Sequence, residues 1–254
     1  MRGDHEHPID FGRDRPTRHW FQELAPYAGC RLDASVLRWH MASADNHAAA
    51  APQVPAYFIA VGASGSRGIE DVKALLGALP YPLAAIVLVV LHRPTDRLSN
   101  LRDIFAGASR MPVVVAGDGE RFETGTCYIG EPAAHLTLAA HSLAHLIVDP
   151  YNVLRNRTID ALFHSLATHA GRRMIGVVLS GSLDDGSRGL AAIKAAGGTT
   201  MVITSAGRPS RGMPENARDF GEPIDKIGTA EQIAQEIGRL VAAGVSTSRH
   251  APAP

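Results

Sequence analysis

Four nearly unbroken apolar runs, AYFIAVGA at 56–63, LAAIVLVVL at 83–91, MIGVVLS at 174–180 and TTMVI at 199–203, constrain the fold most. A strand with one wet face alternates apolar and polar residues. A strand that is apolar throughout must be covered on both faces, which is the situation of a parallel sheet between two layers of helices. The intervening segments supply those helices. Ile69, Val72, Leu75, Leu76 and Leu79 recur at helical spacing near 68–79. Ser99–Ala108 reads as a helix capped by Ser99. Thr158–His169 reads as another, with Thr158 as cap and Ile159, Leu162, Phe163 and Leu166 on its buried face. Ser187–Ala196 is a helix stopped by Gly197-Gly198, and Pro214 opens a further helix at its first position. Thr229 and Gln232 form a capping box for the last helix, which the pattern ends near Gly244.

The middle of the chain departs from this rhythm. PVVVA, then Gly117-Asp118-Gly119, then RFETGTCYIG predicts a hairpin, and HLTLAA and AHLIVD continue as short strands. The expected fold is therefore α/β: a three-layer (αβα), doubly wound, mostly parallel sheet with a small antiparallel hairpin addition. Residues 1–54 have another character. They hold five of the 12 histidines and both tryptophans, and an Ala-rich run closes them. They are expected to form a mobile N-terminal extension, 55–244 the main domain, and 245–254 a disordered tail.

Composition excludes several classes. The formal net charge is zero, so no basic footprint for nucleic acid is present. The longest apolar run, 82–91, is too short to span a bilayer, and the charged start MRGDHEHPIDFGRDRP has no apolar signal region. A cytoplasmic chain without direct membrane insertion is expected. Cys30 and Cys127 lack any motif spacing and read as free thiols. His5, His7, His19, His40 and His47 match no compact ligand spacing, and no metal is expected.

In an open parallel sheet, ligands bind beyond the carboxyl ends of the strands. Run 56–63 is followed by Ser64, run 83–91 by His92, and run 174–180 by a loop holding Asp184 and Asp185. A hydroxyl, an imidazole and a carboxylate on one edge are the parts of a serine hydrolase. The order Ser, His, Asp differs from that of α/β-hydrolases, and their G-x-S-x-G elbow is absent.

The segments VGAS (61–64), VVLHRP (89–94), GTCYIGEPAAHLTL (125–138), RNRTIDALFHSLA (155–167), VVLSGSLDDGSRGLAAIKAAGG (177–198) and GMPENA (212–217) resemble, in order, the catalytic domain of CheB-type chemotaxis methylesterases. The resemblance covers about residues 56 to 241. It implies a protein-glutamate methylesterase without metal or organic cofactor. Such an enzyme hydrolyses γ-methyl esters of glutamyl residues on the cytoplasmic helical bundle of chemoreceptors and can deamidate receptor glutamines. It implies Ser64 as nucleophile, His92 as base and Asp185, directly before Gly186, as the orienting acid. The backbone N–H of Ser182 is implied as an oxyanion donor, with that of His92 as a second. Gly65, Met213 and Arg67 are further candidates for oxyanion or substrate contacts.

This sequence departs from the family pattern in two places. Gly65-Ser66-Arg67-Gly68 carries a bulky cation, and one extra residue, where small residues and glycines are usual. The first 54 residues are too short for a receiver domain and lack its acidic pocket, so regulation is expected to differ or to be absent. Two alternatives stand beside the enzyme reading. One is a catalytically weakened, family-derived interaction domain. The other is a dinucleotide-binding module, suggested by GASGSRGIE after a strand. The latter would need an acid where His92 stands.

Overall fold

The computed structural model describes residues 57–92, 100–130, 134–149, 151, 154, 156–204 and 212–248. The histidines of the first 54 residues, Cys30, Ser99 and Arg155 lie outside that set. The elements, in chain order, are β1 (Tyr57–Ser64), α1 (Gly65–Ala78), β2 (Ala85–His92), α2 (Leu101–Ala108), β3 (Val113–Val115), β4 (Cys127–Ile129), β5 (Ala134–Ala139) and β6 (Leu143–Val148). They continue with α3 (Thr158–His169), β7 (Met174–Val178), α4 (Ser187–Ala195), β8 (Thr199–Ile203), α5 (Met213–Asp219), β9 (Lys226–Gly228) and α6 (Ala230–Ser248).

Seven strands form one sheet in the order β3-β4-β2-β1-β7-β8-β9, and every neighbouring pair is parallel. The chain winds outward from β1 through β2 on one side and later through β7 and β8 on the other. The point of reversal therefore lies beside β1, where the loops after adjacent strands part and leave a crevice.

The two-residue period of β1 sorts its side chains between two cores. Ile59, Val61 and Ala63 meet Val72, Leu75 and Leu76 of α1, Phe105 of α2 and Ile233 and Ile237 of α6. Phe58 and Ala60 meet Ile159, Leu162, Phe163 and Leu166 of α3, Leu190 and Ile193 of α4, and Leu136 and Leu138 of β5. Both faces are covered, as the unbroken apolar runs require. A small β5–β6 antiparallel sheet completes the second face.

Three local expectations are corrected. The segments 113–115 and 127–129 are strands but pair in parallel, so they do not form a hairpin. The Gly117–Gly119 turn exists, yet its flanks bond to β6 instead: Gly119 N–H donates to Ala144 O at 3.0 Å and Leu146 N–H to Asp118 Oδ1 at 2.8 Å. The intervening residues thus become a crossover, and the antiparallel addition is built from β5 and β6. Helix α1 starts at Gly65 rather than 68. Helix α6 runs through Gly244 to Ser248. Gly244 is a packing glycine, since a Cβ there would lie 2.7 Å from the Tyr57 ring. The Thr229–Gln232 capping box forms as expected, with Thr229 N–H donating to Gln232 Oε1 at 3.0 Å.

Candidate active site

Ser64 and His92 are the last residues of adjacent parallel strands, and their Cα atoms are direct partners in the β1–β2 register. Neighbouring strands lie about 4.8 Å apart. By alternation from Phe58 and Ala60, and from Leu88 and Val90, both residues fall on the sheet face covered by α3. Ser64 has extended backbone (φ −147°), and the turn into α1 is taken by Gly65 at φ +72°. A side chain is rarely tolerated there, so Gly65 makes the abrupt strand-to-helix junction available without strain at the serine. The start of α1, with its unpaired N–H groups and positive dipole end, lies at Ser64.

Asp185 joins this edge from the loop after β7. It is fully buried, and its Oδ2 accepts the His92 Nε2–H at 2.6 Å. Two backbone N–H groups of α3 complete its coordination: Ile159 donates to Oδ2 at 2.9 Å and Asp160 to Oδ1 at 2.8 Å. The sequence pattern assigns the cap of this helix to Thr158, whereas the structure satisfies these first-turn donors with Asp185. A helix N-terminus favours a carboxylate in both charge and hydrogen bonding. Asp184 is half-exposed and pairs with Arg157 at 3.5 Å and Arg188 at 3.2 Å, so it is not the partner of His92. Arg157 is held within this network, bonding Asp160 as well at 3.3 Å.

Glycines let these parts approach. A Cβ on Gly62 would collide with the Ile159 γ-methyl group, and one on Gly186 would lie 2.9 Å from the same group. Ile159 is thus seated between the strand that carries Ser64 and the loop that carries Asp185, and its helix is pinned there. Gly181 plays the same role behind the serine. A Cβ on it would lie 2.8 Å from Ser64 Cβ and would strike the Met213 sulfur.

Met213 is fully buried, and its N–H donates to Gly181 O at 2.9 Å. Its side chain packs against Gly181 on the same side as Ser64. Ser182 and Leu183 are exposed at the tip of that loop, Leu183 with φ +70° and its carbonyl held by Asn216 Nδ2 at 2.6 Å. Such a conformation in a bulky residue stores strain of the kind found in ligand-facing loops. Arg67 and Ser66 are exposed in the first turn of α1. The loop root is tied by Ser180, whose O accepts the Ser64 N–H at 2.9 Å and whose N–H donates to Asp71 Oδ2 at 3.1 Å. The Ser180 hydroxyl also bonds that carboxylate.

Three groups near the site escape a reading by strand ends. Asp160, on the apolar face of α3, is almost fully buried. Burial, and then Asp185 beside it, push its carboxyl up to about 6, against the lowering pull of the Gly189 N–H, Arg157 and Arg188. A carboxylate between Ile159 and Leu162 on a buried helix face is the signal that could have found it. His135 and Asp149 form a second imidazole–carboxylate pair at 3.4 Å. Burial holds His135 below the usual histidine range, opposed by Asp149. Only the β5–β6 register, Ala134 opposite Val148, brings these two together. Asp71 is the third. Among the described residues no cluster of metal-ligating side chains occurs, and no helix is long and apolar enough to cross a membrane.

Known proteins share this sequence pattern and fold. The family described as CheB methylesterase matches residues 59–237. A protein-glutamate methylesterase/protein-glutamine glutaminase of Burkholderia lata is 33% identical over 82% of this chain and 59% of its own length. One from Salmonella typhimurium is 32% identical over 73% of this chain and 53% of its own. The chain thus spans a little over half the length of the curated relatives it matches. The crystal structure of the Thermotoga maritima CheB methylesterase catalytic domain superposes with a TM-score of 0.64 at 25% identity, covering 72% of this chain and 98% of that one.

Proposed function

The chain belongs to the CheB methylesterase family, and from that premise we propose that it is a serine hydrolase acting on glutamate γ-methyl esters of methyl-accepting chemotaxis receptors. The observation that carries the reading is the 2.6 Å bond from His92 Nε2 to buried Asp185, with Ser64 beside His92 in the strand register. A ring that donates its Nε2–H to a carboxylate presents Nδ1 as the acceptor. His92 takes the Ser64 hydroxyl proton through that nitrogen while Ser64 Oγ attacks the ester carbonyl. Asp185 stabilises the imidazolium that forms. Collapse of the tetrahedral intermediate expels methanol, which takes its proton from His92, and leaves a glutamyl ester on Ser64. Water, deprotonated by His92, then releases the glutamate carboxylate and restores the serine.

The backbone N–H of Ser182 is assigned to the oxyanion, with Gly65 and the α1 terminus adding favourable dipole; the His92 N–H faces β1 in the strand ladder and serves the sheet instead. Exposed Arg67 is assigned to the rim, where an acidic receptor surface would meet it. The same steps applied to a glutamine amide expel ammonia, which gives a second, deamidating activity. No cofactor enters either reaction. The partner is the cytoplasmic helical bundle of a chemoreceptor, and the compartment is the cytoplasm.

The test is methanol release from a methylated receptor cytoplasmic fragment, comparing wild type with Ser64→Ala. Release that falls to background in the variant is the expected outcome. Equal release from both proteins would overturn the assignment.

A further inference from the structure

We propose that Asp160 is a positioning residue for this reaction: its carboxylate locks the Asp185 loop to the start of α3 and thereby aims Asp185 at His92. The inference rests on the hydrolase reading above and adds a residue that touches neither substrate nor the reacting atoms.

The case begins with a missing cap. Helix α4 starts after Gly186, which has no side chain and stands at φ +93°. Its first-turn donors therefore need an acceptor from elsewhere. Asp160 Oδ1 supplies it, accepting the Gly186 N–H at 3.0 Å and the Gly189 N–H at 2.7 Å. In return the Asp160 N–H donates to Asp185 Oδ1. Each of two helices is thus capped by a carboxylate belonging to the other's segment. Asp185, just before α4, caps α3, and Asp160, in the first turn of α3, caps α4. The two bonds close a ring through adjacent residues Asp185 and Gly186, so the acid of the triad is fixed on both sides.

Sequence details favour this role over incidental burial. A Cβ on Gly189 would lie 2.5 Å from Phe163 Cβ and 3.1 Å from both Asp160 Cα and Asp160 O, so only glycine lets the two helix starts come this close. The other carboxylate oxygen, Oδ2, faces Arg157 at 3.3 Å and Arg188 at 4.0 Å. These cations balance a second negative charge placed beside Asp185. Without the Asp160 acceptor, two buried N–H groups at the start of α4 lose their partner, and the loop must shift to find another. A displacement of the catalytic acid by about 1 Å is enough to cost on the order of 10²-fold in rate.

The experiment compares Asp160→Ala and Asp160→Asn in the full chain. Two readouts are taken: kcat and KM for methanol release from the methylated receptor fragment, and the downfield proton resonance of His92 Nε2–H, assigned by its loss in His92→Gln. Asparagine keeps an oxygen for the two glycine N–H groups; alanine does not. The expected result is a kcat about 10²-fold lower in the alanine variant with KM little changed, and a weakened or shifted His92 resonance. Asparagine should restore the resonance and most of kcat. A folded alanine variant with wild-type kcat and an unaltered resonance overturns the proposal. If alanine prevents folding, Asp160→Ser, whose hydroxyl is too short to span both donors, is read the same way. A wild-type protein that releases no methanol but whose His92 resonance still depends on Asp160 would sink the hydrolase reading and leave the positioning role standing.

Discussion

Replacing Asp185 by asparagine tests the core of the mechanism. The wild-type carboxylate is fully buried and receives three donors: His92 Nε2 at 2.6 Å, Ile159 N at 2.9 Å and Asp160 N at 2.8 Å. An amide has one acceptor oxygen and one donor group, so it cannot serve both sides. With its oxygen at the Oδ2 position it keeps His92 and Ile159 but turns its NH₂ against the Asp160 N–H. With the orientation reversed it keeps Asp160 and confronts the ring with a donor, which forces the proton to the nitrogen that should accept from Ser64. The first arrangement leaves one buried N–H unpaired, a cost of about 1–3 kcal/mol in stability. It also replaces a charge-assisted bond with one roughly half as strong. The second removes the base altogether. In both, the charge that stabilises the imidazolium is gone. Turnover should fall by about 10⁴, equivalent to about 5.4 kcal/mol of transition-state stabilisation. The loss in turnover should therefore exceed the loss in unfolding free energy. Methanol release and urea denaturation of the same preparation measure both. A folded variant that keeps turnover within about tenfold of wild type would refute the argument.

Three further outcomes are expected. Gly62→Ala drives a methyl group into Ile159 and should cost about 1–3 kcal/mol, read as a lower urea midpoint at unchanged m-value; an unchanged midpoint would mean that α3 is not pinned there. The folded carboxyl of Asp160 titrates near 6 against an ordinary value of 3.8, so the native state holds its proton more tightly than the unfolded chain. Its contribution to stability is present below about pH 4 and lost by about pH 6, and wild type should lose on the order of 2 kcal/mol relative to Asp160→Asn between pH 4 and 7. Parallel stability curves for the two proteins would contradict this. Burial pushes the Cys127 thiol up to about 12, so iodoacetamide at neutral pH should leave the Cys127 peptide unmodified in the native protein and alkylate it after unfolding, as followed by peptide mass analysis.

Much of the site was legible because it hangs on backbone regularities. Apolar runs long enough to need cover on both faces imply parallel strands, and parallel strands imply a working edge at their carboxyl ends. Ser64 and His92 could be named as candidates from that edge, and the family motif supplied their roles. The choice between Asp184 and Asp185 could not be made from spacing; it needed the family motif, and geometrically it is decided by which carboxylate is buried against α3. The expected 113–129 hairpin failed because a Gly-Asp-Gly turn reports a local bend, whereas pairing depends on which edge the chain reaches next. Gly244 was read as a helix stop because glycine is a poor helix former, yet here the helix needs its missing side chain to accept Tyr57.

The sequence by itself determined the layer architecture, the strand ends that form the working edge and the residue types found there, because those follow from periodicity and from which side chains can be buried. Only the tertiary structure decided how the acid is held: reciprocal capping between α3 and α4 joins residues 25 and 26 positions apart. Local pattern does not encode it, since an N–H donor at a helix start accepts any oxygen that the fold delivers. The same holds for His135 and Asp149, and for Met213 against Gly181. His135 and Asp149 meet through strand register, whereas the helix starts and Met213 come close because glycines remove the Cβ atoms that would keep them apart, and what a missing side chain admits is known only once its neighbour is in place.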